Sequence, residues 1–528
     1  LKPYEEKTFT QYFLPYRELG IVKNASKDIL LSIDVVERKL VIKIQATSKQ
    51  EIKLKVLNNK HLFYEEQLLL SPEQVYTKEI ASDTDIDLSQ IEVLLYNTAG
   101  INILSYHPED DVREGNLPAA AKPALLPEEI DSIEQLFFTG QHLEQYRHAT
   151  YRPMPYYLEG IRREPGDTRC NNAIGLWKLK KGLFEESIEF FKIAIGTITD
   201  RNPNPYNCEP YFNLGLANLY LGNVDQAYDA FFKSAWDKSF QDAAYYNVAL
   251  IDFFRQDYQN SLTHINSAID RNAGNGKAYL VKVSVLKKLG KLDLAKSVID
   301  AALNRDLFNL SLLFERYKFD VDLGDTEAAA LSKNELLKLS GGTSHNAIEY
   351  AIDYFQLGLY ETGIEFLLLV SYNDTPSPLV NYYAAYGYSK LNRKENASQY
   401  YEKAASANSQ YCFPNRLYDI LVLNSVIGNN SADAKAYYYL GNLYYDKQQY
   451  NIAIDLWEAS LQIDNKFPTT FRNLGLAYYN KRQDPANALK YYEIAYSLDP
   501  SDNRIVMELD SLYKKFNRDA YFRLNFLT

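Results

Sequence analysis

The feature that most constrains this chain is a unit that occurs twice between residues 436 and 500. In each copy a leucine precedes a glycine, a tyrosine follows the glycine three positions later, and small and aromatic residues come further on. The two glycines, Gly441 and Gly475, recur at an interval of about 34 residues, which we call the repeat interval. A repeat of this length typically forms two antiparallel helices that bury their apolar faces only against neighbouring units. We therefore expect a stacked array of helical hairpins.

The same spacing extends the array towards the N-terminus. Six further positions follow one another at the repeat interval, and two glycines mark earlier copies. We expect about ten repeats over residues 128–516, closed by a helix at about 504–516. One of these positions holds a tyrosine, so we expect its repeat to be the most irregular. In chain order the positions are Gly140, Gly175, Gly215, Ala249, Val283, Tyr317, Ala351, Ala385, Gly441 and Gly475.

The period and the residue pattern resemble the tetratricopeptide repeat (TPR). The resemblance implies a right-handed α-solenoid whose concave side is lined by the first helix of each repeat. Aromatic residues at the inward positions of those helices are the candidate interface. The alternative is that a tightly wound superhelix packs these side chains on each other. The candidates are Phe212, Tyr246, Phe253, Phe355, Tyr382, Tyr386, Tyr438, Tyr445 and Tyr479.

Two insertions interrupt the repeat interval. The spacing from Gly175 to Gly215 exceeds it slightly, and the excess contains residues 202–207. The spacing from Ala385 to Gly441 exceeds it by far more, and the extra residues lie around 411–417. Insertions in a solenoid form loops or extra helices on one face, often the functional one. A tolerated surface loop is the alternative reading.

The first 106 residues alternate between apolar and polar instead of following a helical period. Four such runs cover residues 29–35, 40–44, 52–56 and 91–95, with turn residues between them. Short alternating runs of this kind predict a small antiparallel β-sandwich over residues 21–106. Residues 9–19 also resemble a strand, which we assign to a different sheet within residues 1–20. We expect a proline-containing linker at 107–127, the array at 128–516 and a C-terminal tail at 517–528.

Composition excludes several classes of partner. The net charge of −11, without a basic stripe, argues against nucleic acid. No apolar run is long enough for a membrane helix. Three widely spaced cysteines (Cys170, Cys208, Cys412) indicate reduced thiols and a cytoplasmic location.

Ionisable residues form no convincing reactive group. The densest cluster is His142, Arg147 and His148, but the six-residue spacing turns the two histidines to different helix faces, so a structural role is favoured. We find no nucleophile elbow, phosphate loop or paired carboxylates. We therefore expect no catalytic residue, no cofactor and no metal ion in this chain.

A carboxylate clamp, which grips the acidic C-terminus of a chaperone, is disfavoured. Asn442, Arg472 and Asn473 supply part of such a site. Tyr438 stands where the first lysine is required, and no third repeat follows.

Five segments outside the generic repeat pattern resemble a more specific family. They look like bacterial proteins that join a galactose-mutarotase-like β-domain of unknown function to a long TPR array. The resemblance implies that a large β-domain precedes Leu1, that this chain is the C-terminal portion, and that carbohydrate recognition is involved. The segments are residues 9–16, 145–150, 201–206, 411–417 and 474–482.

Two functions therefore stand as hypotheses. The first is an interaction scaffold whose array holds its own upstream domain, a second copy of the chain or another protein. The second is the C-terminal portion of a carbohydrate-active enzyme whose catalytic residues lie upstream.

Overall fold

The computed structural model describes residues 10–108, 123–146, 150–372 and 377–527. These residues form two compact units, one built of β-strands and the other of α-helices. The chain is a TPR-like α-solenoid preceded by a small pair of antiparallel sheets.

The β-unit contains two four-stranded sheets that enclose one hydrophobic core. The strand orders are β1-β2-β3-β6 and β5-β4-β7-β8, and all described pairings are antiparallel. The strands are β1 (Asn24–Ala25), β2 (Ile29–Val36), β3 (Lys39–Ala46), β4 (Gln50–Asn58), β5 (His61–Leu70), β6 (Tyr76–Ala81), β7 (Ile91–Asn97) and β8 (Asn102–Tyr106).

The four strands predicted from alternation are the four central strands. In β2, β3, β4 and β7 the alternating apolar residues pack in the shared core, where all but the half-buried Val35 are buried. The four strands that alternation missed are all edge strands. Edge strands carry more polar and exposed side chains, so their alternation is weaker.

Residues 10–19 correct one prediction, because the structure shows no strand there; Phe9 lies outside the described residues. Pro15 lacks a backbone donor, and the Arg17 N–H donates to the Gln45 side chain (3.2 Å) instead of to a neighbouring strand. The segment is largely exposed, with Phe13 at 93%.

In the described part of the helical unit, nine pairs of consecutive helices pack together as hairpins. Helices α9 and α10 occupy the place of a tenth along the chain, in line with the prediction of about ten repeats. One additional helix, α17, lies in the larger insertion, and α22 closes the array. The helices are α1 (Ile133–Gln145), α2 (Met154–Arg163), α3 (Thr168–Lys180), α4 (Phe184–Thr199), α5 (Glu209–Tyr220), α6 (Val224–Ser234), α7 (Gln241–Phe254), α8 (Tyr258–Arg271), α9 (Gly276–Lys288), α10 (Leu292–Arg305), α11 (Leu310–Asp322), α12 (Thr326–Ser340), α13 (Ser344–Gln356), α14 (Tyr360–Val370), α15 (Pro378–Lys390), α16 (Lys394–Ser406), α17 (Leu417–Asn429), α18 (Ala434–Asp446), α19 (Tyr450–Ile463), α20 (Pro468–Ala477), α21 (Pro485–Leu498), α22 (Asn503–Lys515) and α23 (Ala520–Leu527).

The repeat glycines mark the points where the two helices of a hairpin approach most closely. A Cβ atom on Gly441 would lie 2.5 Å from Nε1 of Trp457, and one on Gly475 would lie 2.5 Å from Cδ2 of Tyr492. The aromatic ring of the second helix thus occupies the space that a side chain would need. The spacing of glycine and aromatic residue reflects this contact.

The expected start of the array at residue 128 lies in a 3-10 helical turn, Pro127–Glu129. The first α-helix follows at Ile133, and the Ser132 hydroxyl caps it by accepting from the Gln135 N–H (3.1 Å). Two other features differ from the expectation. The repeat at Tyr317 forms an ordinary hairpin, and the ring packs near Phe314 (centroids 6.1 Å apart). The predicted tail contains helix α23. Most of the predicted linker, residues 109–122, lies outside the described residues.

Candidate functional site

The nine candidate concave residues divide by burial. Five are buried and are closed off from a partner. Four remain half-buried, so an interface is a proposal for these four only. The buried residues are Phe253, Phe355, Tyr382, Tyr386 and Tyr438, and the half-buried residues are Phe212, Tyr246, Tyr445 and Tyr479.

Self-packing explains the burial in the middle of the array. The ring of Phe355 lies 6.4 Å from that of Tyr383 and 6.1 Å from that of Tyr386. Tyr418, from the additional helix, lies 6.2 Å from Tyr383 and 6.1 Å from Tyr386. Tyr360 completes this cluster, and burial raises its pKa to about 12. These side chains fill the space that a peptide would otherwise occupy.

Helix α17, which lies late in the chain, packs against the early helices of the array. Leu417 packs against the buried cluster that contains Leu179 and Phe184, which belong to the early helices α3 and α4. A Cβ atom on Gly182 would lie 3.0 Å from Cδ1 of Ile420. The larger insertion is therefore part of the core that joins early and late repeats.

Two half-buried candidates, Tyr445 and Tyr479, lie near the end of the array. Tyr445 and Tyr479 occupy equivalent positions, one helical turn after Gly441 and Gly475. The ammonium of Lys515 lies 4.4 Å from the centroid of the Tyr479 ring. A cavity of about 410 Å³ beside Tyr479 is also lined by Asn480, Lys515 and Phe516. We call Tyr445, Tyr479, Asn480, Lys515 and Phe516 the C-terminal surface.

The two remaining half-buried candidates lie in earlier repeats. Phe212 packs against Phe231 and Phe240, with centroids 5.5 and 5.4 Å away. Burial raises the pKa of Tyr246 well above its ordinary value, which keeps its hydroxyl neutral.

The residues that would form a carboxylate clamp are engaged within the array. The Arg472 guanidinium donates two hydrogen bonds to Glu508, one of them 2.8 Å long, and this pairing raises the pKa of Arg472. The Asn473 side chain donates to the Asn442 carbonyl oxygen (3.0 Å), which also accepts from the Trp457 indole (3.1 Å). Tyr438 is buried. These side chains stabilise the stack of repeats.

Residues 407–416, which we call the inserted segment, are anchored at both ends. The Lys435 ammonium donates to the Ala407 carbonyl (2.6 Å). The buried Asp419 carboxylate accepts from the backbone N–H groups of Asn415 and Arg416 (2.9 Å each) and from the Tyr383 hydroxyl (2.6 Å). Cys412 and Pro414 point inward and are buried. The conformation of the inserted segment is therefore fixed by contacts within the chain itself.

A cavity of about 670 Å³ opens beside this segment, and we call it the insertion cavity. Helices α13, α15 and α17 begin at its wall. Two of its aromatic residues are strongly exposed, Tyr411 at 90% and Phe413 at 71%. Its lining residues are Ser344, His345, Ile348, Ser377, Pro378, Leu379, Asn408, Gln410, Tyr411, Cys412, Phe413, Asn415 and Arg416.

The positive charge of Arg416 in this lining is neutralised by neighbouring protein side chains. The Arg416 Nε donates to Glu349, and its Nη2 lies 2.9 Å from Nδ1 of His345. Nη1 lies 3.9 Å from the buried Asp419 carboxylate. The guanidinium is thus committed to protein partners and is not presented as a free cation.

A third cavity, of about 650 Å³, lies on the outer face of the sheet β5-β4-β7-β8. Its lysines, Lys53 and Lys55, both pair with Glu65, and Lys55 also lies 5.7 Å from the Tyr96 ring. The two lysines of this cavity are therefore already paired with a carboxylate of the same sheet.

The thiols show no sign of nucleophilic activation. Cys170, Cys208 and Cys412 are free and buried. Burial raises the pKa of each thiol, to about 12 for Cys412, so the unreactive protonated form dominates.

The remaining ionisable candidates do not come together as a metal-binding group within the described residues. His142 stacks on Tyr146 (centroids 4.6 Å apart), and Arg147 and His148 lie outside those residues. No group of three or more metal-binding side chains occurs in the described ranges. Within the same ranges, no helix is both long enough and apolar enough to cross a membrane.

One side of the insertion cavity was predictable from the sequence, and the other side was not. The excess over the repeat interval identified residues 411–417. Ser344, His345 and Ser377 come from the starts of two regular repeats, where polar residues are common. Nothing in their local pattern distinguishes them, because only the fold of the array brings them beside the insertion.

Three segments match known families. Residues 24–106 match the family described as YphG-like protein, second domain. Residues 441–481 match a TPR repeat, and residues 382–411 match a tetratricopeptide repeat. The chain therefore carries TPR repeats where the glycine spacing predicted them.

A TPR repeat-containing protein of Methanocaldococcus jannaschii is 22% identical over 346 residues, which cover 61% of this chain and 56% of the relative. The chain thus spans about half the length of that curated relative.

Similar solved structures include yeast Tom70 (12% identity, TM-score 0.28, covering 73% of this chain and 96% of that chain). A structure of Naa15/Naa10 bound to HypK-THB gives 15% identity and a TM-score of 0.27, covering 73% of this chain and 66% of that chain. YrrB, described as a TPR protein with an unusual peptide-binding site, gives 13% identity and a TM-score of 0.20, covering 40% of this chain and 97% of that chain.

Proposed function

We propose that this chain is a non-catalytic interaction scaffold that holds a protein partner at its C-terminal surface. The TPR repeats support the general assignment, because stacked helical repeats provide extended binding surfaces. Burial supports the location. Tyr445, on helix α18, and Tyr479, in the π-helical turn Tyr478–Arg482 that continues helix α20, remain half-buried, whereas the inward aromatic residues in the middle of the array are covered. Tyrosines in such positions are common binding anchors.

In a longer protein, the scaffold is joined to a galactose-mutarotase-like domain that binds a sugar. The support for this finer proposal is the resemblance carried by the five specific segments. The partner at the C-terminal surface is then that domain, a second copy of this chain or another protein. Three reduced, buried thiols favour a cytoplasmic location.

Site-specific photo-crosslinking in cells tests the proposed surface. A benzoylphenylalanine at position 479 should form a covalent adduct with a protein, identified by mass spectrometry. The matched control places the same residue at Tyr206, which is 97% exposed in the other insertion and lies outside the C-terminal surface. Adducts at 479 but not at 206 are the expected result. Absence of adducts at 479, or equal adducts at both positions, would contradict the proposal.

A further inference from the structure

The insertion cavity is lined by several uncharged side chains that form hydrogen bonds. Ser344, Ser377, Asn408, Gln410 and Asn415 line it, and all five are uncharged. Hydroxyl and amide side chains both donate and accept hydrogen bonds. Its volume of about 670 Å³ falls within the range of small-molecule sites. The lining therefore suits a ligand that is rich in groups able to donate and accept.

The inserted segment exposes the rings of Tyr411 and Phe413 to solvent beside these polar side chains. Tyr411 has a φ of 58°, a left-handed conformation that is costly for a tyrosine. The Gln410 N–H donates to the Asn408 side chain (2.9 Å), which fixes the turn just before it. Phe413 projects outward between the buried residues Cys412 and Pro414. Backbone strain of this kind is found preferentially at functional sites.

The anchoring makes the rings a preformed platform. Asp419 holds the backbone at Asn415 and Arg416, and the Lys447 ammonium donates to the Asn415 carbonyl (3.1 Å). A site that is ordered in advance avoids the entropy cost of ordering on binding.

The electrostatics of the cavity argue against a charged ligand. Arg416 is already paired with Glu349 and faces His345, so it offers no free positive charge to a phosphate or carboxylate. A free acidic side chain for a cation is likewise missing among the lining residues. The occupant that matches this lining is neutral and polar.

We propose that the insertion cavity binds a neutral carbohydrate. The faces of the Tyr411 and Phe413 rings carry negative charge density and pack on the C–H groups of a sugar ring. The amides and hydroxyls bind its hydroxyl groups. A proline-rich peptide also packs on aromatic rings, but it offers few hydroxyls to the polar side chains of the cavity. This site is separate from the C-terminal surface and does not depend on the scaffold proposal.

The test uses the full chain and an array that carries neutral oligosaccharides, acidic oligosaccharides and a proline-rich peptide. Calorimetry then measures the neutral oligosaccharide with the strongest signal. Tyr411→Asn removes the ring and, since asparagine tolerates left-handed backbone, leaves the turn intact. Phe413→Ser removes the second ring. Tyr206→Asn, at an exposed tyrosine of the other insertion, is the matched control.

We expect binding of a neutral oligosaccharide, with an affinity about tenfold lower in each cavity variant and unchanged in Tyr206→Asn. The melting temperature should be the same in all three variants, because each ring is exposed. Binding of only the acidic oligosaccharides or only the peptide would overturn the proposal. Neutral binding that survives both cavity variants, or no binding at all, would also overturn it. Crosslinking at position 479 is unaffected by any of these outcomes.

Discussion

Replacing Leu423 by alanine should lower the free energy of unfolding by about 2–5 kcal/mol, the usual cost of such a change in a tightly packed core. Leu423 lies on helix α17 and is fully buried. Its helix packs between early and late repeats, so a cavity there weakens contacts on both sides. Chemical denaturation followed by circular dichroism measures the effect.

The matched control for this change is Leu331→Ala on helix α12. Leu331 is also a leucine within a helix, but it is 66% exposed. Its replacement should change stability by less than about 0.5 kcal/mol. Equal effects of the two substitutions would mean that α17 lies on the surface.

Gly475→Leu should destabilise the array by about 1–3 kcal/mol through overpacking. A Cβ atom at this position would lie 2.5 Å from the Tyr492 ring, which is itself buried in the last hairpin. The two helices of that hairpin must then separate or the ring must move. Thermal unfolding of the variant checks the prediction.

Gly196→Leu provides the control, and it should raise the stability of the array instead of lowering it. Gly196 lies within helix α4, and a Cβ atom there would meet no other atom within 4 Å. Leucine has a higher helix propensity than glycine, so this variant should be more stable by up to about 1 kcal/mol. Destabilisation by both substitutions, or by neither, would contradict the assigned close contact at Gly475.

The repeat geometry could be predicted from the sequence because its cause is local. The glycines at the repeat positions lie against an aromatic ring on the second helix of their own hairpin. Gly441 lies against Trp457, and Gly475 lies against Tyr492. The central strands were predictable for the same reason, since burial on one face produces alternation. The edge strands and the extended segment at 10–19 were not, because their side chains face water and follow no period.

The sequence could not predict which of the inward aromatic residues are buried and which stay partly exposed. Tyr386 and Tyr445 both occupy inward positions of first helices, yet one is buried and the other is half-buried. Tyr418 of α17 lies against Tyr386 and contributes to its burial. That contact depends on how the insertion folds back, which no spacing within a single repeat encodes.

The larger insertion is part of the core, whereas the smaller one, residues 202–207, is a largely exposed loop. Hydrogen–deuterium exchange followed by mass spectrometry tests this difference most directly, since exchange reports local opening. The amides of α17, residues 417–429, should exchange as slowly as those of α15, residues 378–390. Residues 202–207 should exchange rapidly. Exchange in α17 as fast as in residues 202–207 would contradict the claim and make the insertion a tolerated surface loop.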